Sequence, residues 1–455
     1  MAEQKLNPRN MFGYGAGHFA LGLTYTSLNL YLLYYYTDVL LIDPAVAGLI
    51  FMLPLIWDSI TDPLMGMIAT RTRSRFGSFR PYLLFGTPFL ALSFVAMFAA
   101  PLLFPTAIVA ASFAFHLLFR TLYTVVAIPY SSLMAVMTID SRERGKLAGY
   151  KTSAGILAGL FTAALMLNLA NWFNADDLQS GFLKVSMLYG LLAVIIMLIT
   201  FVTSFELDFA SNSGKTLSFG QTLTFLKKNY AFWLMCGGVL CGATGSSIGN
   251  KASVYYVSQN AGEPGWISAV LSSGLVAAAI ASPLWSMSYR WLAKRTVWLI
   301  GAGGYTVLGG LAFLIGPTDI PTIILFRVLD GICLSAIVVT YWSMLPDTVE
   351  FGEFRSGARD DGVIFGINQF ALKSATGIGV GLLGLGLGAA GYVAQQEQTE
   401  TALTGIRALT FLGPMVGYGL SFLFIFFYPI DVKLHQRLVK ALSRRKAKAV
   451  TATAS

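Results

Sequence analysis

Residues 54–81 read PLIWDSITDPLMGMIATRTRSRFGSFRP, and this stretch decides the class of the chain. Asp58 and Asp62 sit inside an apolar run that begins near Pro44, and Arg71, Arg73, Arg75 and Arg80 follow at once. At i and i+4 the two carboxylates share one face of a helix, one turn apart. An ionised carboxylate in hydrocarbon costs at least roughly 2.5–3.5 kcal/mol, so it is expected to face a water-filled path or a bound cation. Two on one face, with no cation nearby in the same helix, read as a cation or proton site. The arginines mark the cytoplasmic end of that helix.

The rest of the composition agrees with a membrane setting. The 455 residues are 55% hydrophobic and 12% charged, with a mean hydropathy of +0.66, against about 25% charge in soluble domains. No short charged-then-apolar leader precedes the first span, so no removal is expected. The net charge of +9 lies in short loops and the tail. That placement suits anionic lipid rather than nucleic acid. Cys236, Cys241 and Cys333 lie in apolar runs without metal or disulfide spacing and read as helix packing.

A crossing needs about 20 apolar residues. Twelve segments qualify, at 12–37, 44–70, 81–101, 105–136, 147–173, 183–205, 230–257, 264–289, 297–316, 320–346, 362–392 and 403–429. With both termini cytoplasmic, 24 of the 31 Lys and Arg residues fall on the cytoplasmic side, and only Lys184 and Arg407 lie in outside loops. The polar stretch after Glu206 divides the chain. The expected units are a six-helix bundle over 1–205, a cytoplasmic linker over 206–229, a second bundle over 230–430 and a basic tail over 431–455. The halves echo each other: residues 128–150 and 339–365 both end a helix with aromatic and serine residues, then enter a mixed-charge loop. Paired six-helix repeats with a site between them at mid-membrane describe an all-α transporter. The glycine run 377–391 reads as close helix packing, with a flexing gate as the alternative. The tail reads as a lipid-surface helix with His435 in solvent.

Other polar residues fall within the apolar segments. Helix one carries Tyr14, His18, Tyr25 and Asn29, and helix four carries His116, Arg120, Tyr123 and Thr124. Lys251, Arg327, Asp330 and Lys373 lie in the second half. Lining an aqueous cavity explains so many polar groups at this depth. Arg327 and Asp330, at i and i+3, read either as an internal salt bridge or as substrate contacts. Lys251, in the outer third of its helix, either snorkels toward headgroups or joins the cavity. Arg120 and Lys373 lie too near the midplane to snorkel.

Several strings, in order, resemble a known group: YYYTDV (34–39), IWDSITDPLMG (56–66), TRSRFGSFRP (72–81), IPYSSL (128–133), DSRERGKL (140–147) and DTVEFGEFRSG (347–357). They resemble the glycoside–pentoside–hexuronide:cation symporters, the melibiose-permease-like branch of the major facilitator superfamily, over nearly the whole chain. The resemblance implies the major facilitator fold and a multi-pass location in the plasma membrane, the inner membrane in a bacterium. It places a coupling ion, Na+ or H+, at Asp58 and Asp62 with Thr124 nearby, and Thr61 stands where the melibiose-permease pattern has asparagine. It matches Lys373 to a lysine linking cation and sugar sites, and Tyr123 to a sugar-pocket aromatic. The pattern's sugar-binding aspartates correspond to Gly22 and Ala127, its tryptophan to Ser131 and its arginine before the aspartates to Leu55. Arg120 replaces a small residue.

Loss of two acids and gain of a cation point away from a neutral galactoside and toward an acidic sugar such as a hexuronide. The expected substrate contacts are Arg120, Tyr123, Lys373, His18, Tyr25, His116 and Lys251. The expected gating residues are Arg71, Arg73, Arg75, Arg80, Arg142, Asp347, Glu350 and Arg355. No cofactor or metal beyond a transported Na+ is implied, and function as a monomer is expected. A carrier of an amphiphile such as a lysophospholipid is the alternative, and a non-transporting receptor a remote one. No Ser/His/Asp set, metal cluster or phosphate-binding loop supports an enzyme.

Overall fold

The computed structural model describes residues 6–138, 141–207, 219–357 and 361–431, together with 434–435, 437–438 and 440–442 of the tail. The regular elements among them are helical. The first half holds α1 (Pro8–Ser27), α2 (Pro44–Arg71), α3 (Thr87–Leu103), α4 (Ile108–Met137), α5 (Ser141–Phe173) and α6 (Leu178–Thr203). A short α7 (Phe219–Lys228) leads into α8 (Tyr230–Tyr255), α9 (Ile267–Ser288), α10 (Lys294–Ile315), α11 (Ile320–Ser356), α12 (Asp361–Ala389) and α13 (Glu400–Phe426). Eleven helical stretches, starting from Pro44–Arg71, are long and apolar enough to cross a membrane. α1 runs on through π-helical turns at Leu28–Leu32 and Tyr35–Val39, which gives it the length for the expected twelfth crossing.

Local chemistry sets the helix ends. Asp43 caps α2 by accepting from the backbone N–H groups of Ala45 and Val46 at 2.9 and 3.1 Å, and Pro44 occupies the first turn, where no N–H partner is lost. Asp177, Asn229, Asp319 and Thr399 cap α6, α8, α11 and α13 in the same way. Inside α2, Pro54 and Pro63 lack an N–H, which releases the carbonyls four residues earlier, at Ile50 and Ser59. Large apolar side chains such as Trp57, Leu64 and Ile68 face outward from α2, as suits a helix bathed in lipid rather than water.

Within the first half α1 packs on α5 and α6, while α4 packs on α2 and α3; in the second, α13 joins α8 to α10 and α11 joins α9 to α10. The halves meet along α2–α12 and α5–α9. The α2–α12 seam depends on glycine: a Cβ at Gly384 would lie 2.8 Å from the Cα of Gly48, inside any real carbon contact. At the end remote from the arginine loop the halves are also hydrogen-bonded. Thr37 Oγ1 lies 2.7 Å from the hydroxyl of Tyr255, the Tyr392 hydroxyl donates to Asp38, and Gln395 Nε2 donates to the Asp38 carbonyl at 3.1 Å.

The loop of arginines folds against its own half. The Glu206 carboxylate accepts from the backbone N–H groups of Ser78, Phe79 and Arg80 at 2.7–2.8 Å, and Arg80 donates to the Phe201 carbonyl at 2.8 Å. The second part of the expected linker is helical and docks on the other half. Phe225 of α7 is fully buried, and Asn229 Nδ2 donates to the Thr348 carbonyl at 2.9 Å. His435 departs from its expected solvent position: its ring lies 2.9 Å from Glu350 and 3.5 Å from Asp347, and Leu438 is buried nearby against the second half's core. An acidic pair and an apolar floor draw the start of the tail onto the protein.

Candidate functional site

The proline-flanked turn of α2 carries Asp58 fully buried and Asp62 with 16% of its side chain exposed. Across the seam, Lys373 of α12 donates to Asp58 Oδ2 at 2.9 Å and also to Asp62 Oδ2. From α4, the Thr124 hydroxyl contacts Asp58 Oδ1 and lies 3.0 Å from Asp62 Oδ1. A hydroxyl has one proton, so it serves one of these carboxylates at a time. The two Oδ1 atoms therefore compete for a single hydroxyl proton, an arrangement that a small cation or an extra proton would satisfy. Thr61 stands beside them but gives its hydroxyl to the Asp58 carbonyl of its own helix at 3.2 Å.

One turn away, α4 builds a second charged group. Released by Pro54, the Ile50 carbonyl accepts from His116 Nδ1 at 3.1 Å. That bond assigns the ring proton to Nδ1 and leaves Nε2 as an acceptor, which takes Arg120 Nε–H at 3.2 Å. Arg120 is fully buried; its Nη1 lies 3.9 Å from Asp58 Oδ2, and neither Nη1 nor Nη2 has a hydrogen-bond partner. Its guanidinium sits over the rings of Tyr25 and Phe51 at 5.2 and 5.8 Å, and Tyr25 stacks on Tyr123 at 5.2 Å. Lys251 turns inward rather than toward headgroups, 95% buried, with its ammonium over Phe51 at 5.3 Å. Asp58, Asp62, Thr124, Arg120, His116, Tyr25, Tyr123, Lys251 and Lys373 thus form one continuous polar centre between the halves.

His18 stands apart from it, stacked 6.1 Å from Tyr130 with Nδ1 buried and unpartnered. Beside it the structure adds Lys151 of α5, which donates to Ser131 at 3.2 Å and lies over Tyr130 at 5.7 Å. Sequence reasoning missed Lys151, although a lysine inside the fifth apolar segment was the available signal. Mostly against the second half, a cavity of about 390 Å³ is lined by Asn250, Lys251, Tyr305, Arg327 and Asp330 among others, with Asn29 from the first half. The i and i+3 salt bridge weighed for Arg327 and Asp330 is not formed; Arg327 Nη2 instead donates to Asn250 Oδ1 at 2.7 Å.

The expected gating residues stay within their own halves. Arg73 reaches Ser78, Arg75 covers Phe76, Arg80 covers Phe201, and Arg71 ends α2 at the surface. Asp347 pairs with Lys294 at 2.7 Å, Glu350 with His435, and Arg355 covers Tyr230 and Phe351. The side chain of Arg142 lies outside the described residues. At the remote end hydrogen bonds join the halves, and none of these described gating residues bridges them at the arginine-loop end.

Residues 13–432 match the family described as MFS/sugar transport protein. An isoprimeverose transporter of Lactiplantibacillus pentosus is 28% identical over 450 residues, covering 96% of this chain and 91% of that protein. A glucuronide carrier protein homologue of Escherichia coli (strain K12) is 27% identical over 446 residues, covering 98% and 97%. In fold, a bacterial homologue of the human lysosomal transporter Spinster, inward-facing and unoccupied, matches with a TM-score of 0.66 at 11% identity over 96% of this chain and 98% of that one. With charged side chains held between two six-helix bundles and a family match over nearly its whole length, the chain belongs to the MFS/sugar transport family and is a multi-pass membrane transporter.

Proposed function

We propose that the protein is a symporter in which Na+ or H+ bound at Asp58, Asp62 and Thr124 drives uptake of a sugar or glycoside, with acidic sugars such as hexuronides preferred. The observation that carries this reading is the Lys373 ammonium held between the two carboxylates. It occupies the position a transported cation would take, so the incoming ion and Lys373 compete for the same oxygens.

Charge counting favours an anionic passenger. Asp58, Asp62, Lys373 and Arg120 sum to zero when no ion is bound. Entry of Na+ or H+ leaves the group one positive charge in excess, and Lys251 across the Phe51 ring adds another. A negatively charged sugar entering the cavity that Lys251 lines relieves that excess through its charge. By linkage, the ion must tighten substrate binding by the factor with which substrate tightens ion binding. In the proposed cycle both bind from outside, the halves rock about the site, and both leave toward the arginine loop, which we place on the cytoplasmic side.

Reconstituted protein given an imposed Na+ or H+ gradient tests this. Asp58→Asn and Asp62→Asn are expected to insert normally and to lose gradient-driven accumulation of a hexuronide. Full accumulation by either variant would overturn the assignment.

A further inference from the structure

Resting on that symport reading, we propose that Arg327, Asn250 and Asp330 form a second half of the substrate site, with Arg327 binding the carboxylate of an acidic sugar and Asp330 accepting its hydroxyls. The cavity they line, about 390 Å³, falls within the roughly 300–1,000 Å³ of small-molecule sites. Arg327 and Asp330 lie one turn apart on α11, where opposite charges ordinarily close on each other. Here Asn250 of α8 draws the guanidinium away through its side-chain oxygen, 2.7 Å from Nη2. Arg327 Nε is buried without a hydrogen-bond partner, and no ion pair among the described residues involves Asp330.

A buried guanidinium edge left open costs free energy unless a ligand completes it. Its forked donors match the two oxygens of a carboxylate. The carboxyl oxygens of Asp330, engaged in no ion pair among the described residues, offer acceptors to sugar hydroxyls. Tyr305 and Tyr418, with ring centroids 4.3 Å apart, add an aromatic wall to the same cavity. Lys251 and Asn29 line it too, and through Lys251 it adjoins the Arg120 group. One end of the substrate thus touches each half of the protein, and closure around it draws the halves together.

The test uses phenyl glucuronide and phenyl glucoside, which differ in a carboxylate against a hydroxymethyl group. Equilibrium binding to purified full-length protein is measured with saturating coupling ion. The wild type is expected to favour the glucuronide, and Arg327→Gln to weaken glucuronide binding about tenfold or more while leaving the glucoside within about twofold. Arg327→Lys keeps the charge without the fork and is expected to fall between, and Asp330→Asn to weaken both ligands. Equal losses on both ligands in Arg327→Gln would make the residue a tie between α8 and α11 and overturn the proposal, as would no loss. Wild-type preference for the glucoside would overturn it while leaving ion-driven uptake standing. Asp58→Asn, measured alongside, is expected to lose ion stimulation yet keep the Arg327-dependent discrimination. That separates failure at this site from failure of the symport reading.

Discussion

Pro54 lies outside the polar centre yet determines how Arg120 is held. By releasing the Ile50 carbonyl it gives His116 Nδ1–H a partner, and the ring then offers Nε2 to Arg120. His116→Ala is expected to leave two buried groups unsatisfied and to destabilise the protein by about 1–3 kcal/mol, seen as a lower Tm in detergent. His116→Gln, with a donor for Ile50 and an acceptor for Arg120, is expected to recover much of the loss; equal Tm values for wild type and His116→Ala would contradict this relay. The i and i+4 spacing of His116 and Arg120, like that of Asp58 and Asp62, was legible in the sequence because each pair shares one helix. The contact to Ile50 was not, because nothing in a linear string states which helix lies against a released carbonyl. Lys151 was overlooked for a similar reason: near a span's edge a lysine reads as a snorkelling residue until Tyr130 and Ser131 are seen around it.

At the level of elements, the glycines of α12 act chiefly as surface against which α2 fits. Gly384→Val is expected to force the α2–α12 seam apart, destabilise by about 1–3 kcal/mol and depress uptake. Gly366→Ala, on the same helix with open space around it, is expected to be neutral or to stabilise by about 0.5–1 kcal/mol through helix propensity. Matching Tm shifts in the two variants would refute the seam argument. The apolar spans were legible because hydrocarbon demands a length that composition reveals. The docking of α7 and of the tail's start was not. Each is held by one or two apolar anchors, Phe225 in one case and Leu438 in the other, and by polar partners that lie far away in sequence.

For the whole molecule, the two-bundle plan followed from the repeated strings and the polar break, whereas the conformation in which the bundles are held was invisible to sequence. It rests on Thr37, Asp38, Tyr255, Tyr392 and Gln395, which meet only when the halves close at that end. Tyr392→Phe removes one cross-half hydrogen bond and is expected to shift the population a few-fold toward the alternate opening, the scale of about 1 kcal/mol. A cysteine placed at Ser246, which lines the cavity, in a background without Cys236, Cys241 and Cys333, would report this. Its labelling by a membrane-impermeant thiol reagent added on the Asp38 side is expected to rise, and an unchanged rate would count against the closure. The lysine clasped by the two aspartates has a consequence for the idle protein as well. An unloaded carrier must still swing back, and naked negative groups would oppose that passage through oil. In the proposed symport cycle a tethered surrogate ion removes the obstacle, so the empty return stroke would proceed without leaking the gradient.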